Sequence, residues 1–512
     1  MCLVKKGVHS NMNKIFKVVW SKTKECYVVV SEVAKNNGGK KKALASVLAG
    51  LAMLAAGQVN AAVTEYGLGA SATGVDATAY GSNAKATKQS TVAVGDSAQA
   101  TADYAVAMGK SATASNTKTT AIGNGAVASG ANATVVGSIS QGTGSGATAI
   151  GTNNKAAYEG TAVGLSNTVT GDTSTAIGRS NTVAGGSSFA AGVRSEARGN
   201  RNVAIGNQAI SQRDDSIAIG SEVNALSGHN IAIGSGGTTA QSGDPTTGGL
   251  TSVGIAIGLN ARAVAATATD YDLIAIGNST QATANGAVAI GTLTKATGNN
   301  AYAMGNQANA SGSGSVALGQ VSTADAHGAL AIGNGTNANG VGATSIGRTS
   351  KASKDGAVAI GFNAEATGDG AIAIGGDGKG AAFDSTNTTF AGLGEKTTAS
   401  AKNAVALGHQ ATASIEGGVA LGSESVTTTA AGIQGYNPAS DRTNKYSDQA
   451  GAIGTSTLAA VSVGNGTTAT RQITGVAAGT ADTDAVNVAQ LKNVNLKYAA
   501  DTGNSDVLLK DG

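Results

Sequence analysis

Few residues in this 512-residue chain could carry chemistry, and their spacing argues against it. Beyond the first 42 positions the histidines are His229, His327 and His409, far apart in sequence and in different phases of a repeat. Catalysis needs groups that converge, and metal binding needs several ligands at short, set intervals. Both cysteines, Cys2 and Cys26, lie near the start, so no thiol is available later. Serine and threonine are abundant, but none sits in a strand-to-helix nucleophile elbow. The run Gly142-Thr143-Gly144-Ser145-Gly146 lacks the strand-to-helix context of a phosphate cradle. No catalytic, cofactor-binding or metal residue is assigned, and the expectation is a protein that is not an enzyme. Isolated histidines read as surface residues.

What the sequence does carry is a beat. Gly81, Gly95, Gly109, Gly123, Gly137 and Gly151 are spaced by 14 residues; Gly164 comes after 13. The 14-residue spacing resumes through Gly234 and returns from Gly277 to Gly375. A small and then an aliphatic residue usually precede each glycine, as in Ala121-Ile122-Gly123 and Ala317-Leu318-Gly319. A fixed short period of this kind predicts a solenoid. Composition agrees, with 76 glycines, two prolines and 3% aromatics. Bulky residues for a large core are scarce. Gly375-Gly376-Asp377-Gly378 is similar to calcium-binding solenoid repeats but occurs once.

One coil, Gly286–Asn299, shows the expected anatomy. Ala287-Val288-Ala289-Ile290 forms a strand, Gly291 turns a corner, Thr292–Thr297 forms a second strand, and Gly298-Asn299 turns again. Alternation places Val288 and Ile290 on one strand face and the alanines on the other. The aliphatic pair is expected inside. The alanine face is expected to meet other copies, since so thin a coil needs partners. About 28 coils stacked about 4.8 Å apart would give a rod of about 130 Å. Three breaks, after Gly234, Gly375 and Gly422, are expected to leave as surface loops. The last holds Tyr436, Arg442 and Tyr446.

Charge divides the chain. Ten lysines and two glutamates fall in the first 42 positions, so the remainder of the chain has 24 basic and 29 acidic residues, a net of −5. No basic face for nucleic acid is expected there. Lys40-Lys41-Lys42 followed by the apolar run Ala43–Ala56 and the small residues Asn60-Ala61-Ala62 reads as a secretory signal, with cleavage near Ala61 or Ala62. The run is too short to span a bilayer, which takes about 20 residues. At the other end, Asp484 is expected to cap a short helix whose apolar seam is Val488, Leu491 and Val494.

These pieces together resemble the YadA-like trimeric autotransporter adhesins. The Ala-Ile-Gly repeats are similar to that family's head. Asp484-Ala485-Val486-Asn487-Val488-Ala489-Gln490-Leu491 is similar to its neck, and the long leader to its extended signal peptide, whose pattern starts at Met12. The resemblance implies an all-β solenoid, a left-handed parallel β-roll of 14-residue coils, in three copies, followed by a short helical neck. It divides the chain into an extended signal peptide at 1–62, a head at 63–464, a neck at 465–495 and the start of a stalk or further domain at 496–512. It implies adhesion to matrix proteins, host cells or neighbouring bacterial cells from the outer-membrane surface of a Gram-negative bacterium, through a C-terminal anchor not present in these residues. The alternative is a passive spacer rod that carries another binding tip. The repeats closest to the family motif mark Ser216 and Asn403 as candidate ligand contacts, and the last break adds Tyr436, Arg442 and Tyr446. Val488, Leu491 and Val494 would hold the trimer neck.

Overall fold

The structure is a computed structural model that describes residues 16–21, 26–31, 63–241, 253–267, 271–376, 396–435, 454–481, 483–493, 497–499 and 506–508. Phe16–Ser21 and Cys26–Ser31 pair as an antiparallel hairpin. From Val63 onward the chain winds into a parallel β-solenoid of about 24 turns of about 14 residues. Each coil contributes one longer strand and one two- or three-residue strand. Val288–Ile290 lies between Ile274–Ile276 and Tyr302–Met304, all parallel and in register. Lys295–Ala296 lies between Gln281–Ala282 and Asn309–Ala310. At about 4.8 Å per rung the length is about 115 Å, shorter than expected because the breaks take up residues that an unbroken repeat would put into coils.

Each break falls at a corner, and the ladder continues across it. Ala232 pairs with Ala256, Ala373 with Ala406, and Ala420 with Ser462. The 13-residue coil obeys the same rule. Thr148 pairs with Thr161 and Lys155 with Thr168, so the missing residue comes out of the second corner, at Tyr158-Glu159. Corners absorb length changes because strands cannot: a one-residue slip would turn every side chain to the wrong face.

The corner glycine is required twice over. Gly305 has φ of +137°, which side chains rarely tolerate, and a Cβ there would lie 2.3 Å from the carbonyl oxygen of Gly319 in the next coil. The second corner has its left-handed residue at Asn300 (φ +52°), just beyond the expected Gly298-Asn299. Asparagine tolerates that region better than most residues.

Which face lies inside corrects the sequence reading. Ala301, Ala303, Ala308 and Ala310 are fully buried, as are Ala287, Ala289, Thr294 and Ala296 of the coil before. The inward positions are therefore two and four residues before the corner glycine and three and five after it, and they hold small residues. Val288 and Ile290 point outward and are only half-buried. The physical reason is the width of the coil. Its corners are so tight that the two sheets sit close together, and methyl-sized groups fill the gap. Of the few larger aliphatic residues that enter, Val135 and Val169 are each faced by a glycine. Val135 sits opposite Gly142, where a Cβ would come 2.9 Å from the valine Cγ2, and Val169 sits opposite Gly160 at the same 2.9 Å.

Corner carbonyls satisfy many of the polar groups in this narrow interior, though the buried Ser227 hydroxyl has no partner among the described residues. The hydroxyl of Thr280 donates to the Gly277 carbonyl (2.7 Å) and that of Ser315 to Gly312 (2.6 Å). Asn154, Asn167 and Asn181 stack in successive coils as a buried amide ladder. The Asn154 Oδ1 accepts from the Asn167 backbone N–H (2.9 Å) and Nδ2 (3.1 Å), while the Asn167 Nδ2 also donates to the Val163 and Gly178 carbonyls (3.0 and 2.8 Å). Such groups would cost stability if left unpaired; paired in this way, they fix the register of the coils that hold them.

The Val135–Gly142 pair gives a direct test. Gly142→Ala should lower stability by about 1–3 kcal/mol, the usual range for overpacking. Adding Val135→Ala to the same chain should restore most of the loss. Denaturant unfolding of the two variants reads this; a neutral single variant would contradict the size matching.

Candidate functional site

With the small residues inside, function falls to the outer faces. On the longer strands two columns run the length of the solenoid. One, directly before the corner glycine, is apolar in nearly every coil and includes Ile122, Val136, Ile150, Ile177, Met304, Leu407 and Leu421, all exposed. The other, three residues before the glycine, is largely threonine up to Thr175 and largely aliphatic from Phe189 to Val419. The balance of apolar burial favours this outer face. Four inward methyl groups bring about 3 kcal/mol per coil at about 0.8 kcal/mol per CH₂-sized group. Two outer aliphatic side chains would bring about 3–6 kcal/mol, but only once another surface covers them.

The corners and shorter strands carry the polar groups. Arg201, Asp215 and His229 stack at one corner in successive coils. The Arg201 guanidinium meets the Asp215 carboxylate at 2.5 Å and 2.7 Å, and the His229 Nε2 lies 3.6 Å from it. The hydrogen bond from Arg201 holds the Asp215 carboxyl below its ordinary value. On the shorter strands, Glu365 lies between Lys396 and Lys351, the latter at 3.5 Å. Burial pushes the Glu365 carboxyl upward, but the hydrogen bond and charge of Lys396, with Lys351 behind it, outweigh burial and leave it below its ordinary 4.5.

The candidate contact residues fare differently. Ser216 is fully buried: its hydroxyl points inward to the Arg213 carbonyl (2.5 Å) and the Ser211 hydroxyl (2.7 Å). It cannot meet a ligand, because the position four before a corner glycine faces the interior. Asn403 is exposed at a corner, with φ of +54°. Tyr436, Arg442 and Tyr446 lie outside the described residues, as does Val494. Val488 and Leu491 are exposed on a short helix, Val488–Lys492. The three repeat histidines do not meet: His327 is exposed, and the His409 Nδ1 lies 3.4 Å from the Ser423 hydroxyl. Among the described residues no three potential metal ligands come together.

Two features escaped the sequence reading. The helix is capped by Asn487, not Asp484. The Asn487 side chain accepts the Gln490 N–H (2.9 Å), and the Gln490 side chain accepts the Asn487 N–H (3.2 Å). The Asn-x-x-Gln spacing is the signature that would have found this box. Asp484 instead braces the preceding turn through the Thr480 and Ala481 N–H groups, at 2.8 and 3.0 Å. The second feature is Arg471, which closes the C-terminal end of the ladder. Its guanidinium sits against Gly422 and donates to the Ser423 carbonyl, the Val463 carbonyl (2.5 Å) and the Ser425 hydroxyl (3.0 Å). In an inner coil, a backbone N–H of the next rung serves the carbonyl equivalent to Ser423, as Asn83 does for Leu68 (2.9 Å).

A repetitive solenoid with apolar columns along its outside presents a surface suited to binding or assembly. Comparison with known proteins agrees. Residues 12–59 match the extended signal peptide of the type V secretion system. Nine segments between 86 and 425 match the YadA head domain repeat, and residues 472–511 match the coiled stalk of trimeric autotransporter adhesins. The autotransporter adhesin BadA of Bartonella henselae is 56% identical over 68 residues, which cover 13% of this chain and 2% of that protein. The chain belongs to the YadA-like trimeric autotransporter adhesins, proteins exported to the Gram-negative cell surface.

The Glu365 cluster predicts a pH response. Its folded carboxyl is depressed, so the stabilisation is present above the ordinary glutamate value of 4.5 and is lost as pH falls through the folded value. Wild type should melt above Glu365→Gln at pH 7, and the gap should close below that range. A gap that persists at low pH in thermal melts would refute the assignment.

Proposed function

We propose that this chain is an adhesin whose head works as a homotrimer. Three solenoids pack their outer aliphatic columns against one another, and the corners and shorter strands stay outside to make the contacts. The observation that carries this reading is the position of the aliphatic residues: Val288, Ile290, Leu318 and their equivalents face outward from a core complete without them. Family membership, an adhesin role and the exposed Val488 and Leu491 of the neck helix support it. In this reading residues 63–464 form the head, 465–495 the neck, and 496–512 the start of a stalk or further domain.

Recognition is non-catalytic and multivalent. A surface repeated over about 24 turns in three copies converts weak contacts into firm attachment without any single strong site. Ligands of the matching kind are extracellular matrix proteins or structures on host or neighbouring bacterial cells. Asn403 remains a candidate contact, with Tyr436, Arg442 and Tyr446 on the last break.

Deleting residues 63–464 while the remainder stays on the surface should abolish attachment of the bacteria to immobilised matrix proteins or to one another. Unchanged attachment would favour the spacer reading. Leu318→Asp places a charge on the outer column without touching the interior, so it should shift the purified protein from three-chain to one-chain mass in sedimentation. An unshifted mass would count against this packing.

A further inference from the structure

The two ends of the solenoid are finished differently. At the C-terminal end Arg471 covers the last corner. At the N-terminal end the first rung, Thr64–Tyr66, pairs only with Thr78–Tyr80 among the described residues. The direction of the ladder shows what this leaves open. Thr64 N–H donates to Ala77, and Tyr66 C=O accepts from Gly81, so both face the second coil. Glu65, between them, turns its backbone N–H and C=O the other way, towards the open end. The N–H groups of Gly67 and Gly69 point there too, as those of Gly81 and Asn83 point back to Tyr66 and Leu68. Cleavage of the leader near Ala61 or Ala62 would start the mature chain directly before this strand.

The side chains around this edge are not those of a finished end. Terminal repeats of solenoids normally carry a polar outer face. Here Leu68 is 88% exposed, Val75 65% and Val63 44%, all outside the columns that would join copies of the chain. Glu65 takes an inward position that holds alanine in most other coils. Among the described residues its carboxylate accepts only the Ala72 N–H, at a long 3.4 Å, and it forms no ion pair.

We propose that the first rung of the head accepts an extended peptide strand from a partner polypeptide, one that brings a lysine or arginine beside Glu65 and aliphatic or aromatic side chains onto Leu68 at the adjoining corner. Free backbone donors and acceptors at strand spacing suit an extended chain, which adds affinity through main-chain bonds and specificity through alternate side chains. Charge complementarity favours a basic segment. The same charge disfavours a second copy: antiparallel pairing of two such edges about Glu65 would set carboxylates opposite each other, which is destabilising. The inference rests on the adhesin reading and adds to it a partner class and a location at the free tip.

The test uses the full exported protein and short fluorescein-labelled peptides of alternating valine and lysine, or of alternating valine and glutamate, read by fluorescence anisotropy. The lysine peptide should bind at least about tenfold more tightly than the glutamate peptide. Glu65→Pro removes the outward N–H and the charge while leaving the bonds to the second coil intact, since proline is tolerated on an edge strand. It should weaken binding by about tenfold or more. Glu65→Gln, which keeps the strand, should weaken it less and flatten its salt dependence. Equal binding by Glu65→Pro, a preference for the glutamate peptide, or no binding of either peptide to wild type would overturn the proposal. Attachment of bacteria lacking residues 63–464 judges the adhesin reading separately, so loss of attachment there together with absent peptide binding would remove the tip site alone.

Discussion

The narrow gap between the two sheets of each coil governs this structure. Corner glycines stack so closely that a Cβ on Gly305 would come within 2.3 Å of the next carbonyl, and the turns they make hold opposite strands at methyl distance. Alanine, serine, threonine and asparagine therefore fill most of the interior, and only a few larger aliphatic residues, such as Leu273 and Val183, enter it. The same limit leaves most larger aliphatic residues on the outside. An interior so poor in apolar area cannot supply what larger cores supply, so the remaining stability must come from backbone ladders and from covering the outer columns.

The rest of the architecture answers the needs of such a ladder. Length changes are confined to corners, because a slip within a strand would exchange the faces. The buried amides of Asn154, Asn167 and Asn181 bond to one another and to corner carbonyls, so their polar groups are met without water. The C-terminal end needs donors for its last carbonyls and receives them from Arg471. Beyond the solenoid, Asn487 and Gln490 cap a helix too short to stand by itself, and they also tie it back to the loop before it through Val476 and Gly479.

The solenoid, its period and its corners were legible because glycine at a fixed interval has few other physical readings. The faces were not. Val288 and Ile290 alternate with Ala287 and Ala289 in either arrangement, and periodicity cannot say which pair lies inside. The gap width decides, and it depends on how tightly successive corners nest. Ser216 was misplaced for the same reason: its motif marks the repeat, but its phase turns the hydroxyl inward. Asn403, one position earlier in the same motif, stands on the corner and stays exposed. Arg471 and Asn487 were visible as residues, but their roles depend on which backbone groups the ladder leaves unpaired.

Small residues close the interior, and in the proposed trimer the expelled aliphatic columns join copies of the chain. Because both cysteines lie in the leader, single cysteines can probe this without interference. The most direct measurement is cross-linking of the exported protein with a short bis-maleimide after Ile290→Cys or Ala289→Cys substitution. Two- and three-chain species are expected from Ile290→Cys and only single chains from Ala289→Cys. Cross-linking through Ala289→Cys, or single chains alone from Ile290→Cys at micromolar concentration, would contradict this arrangement.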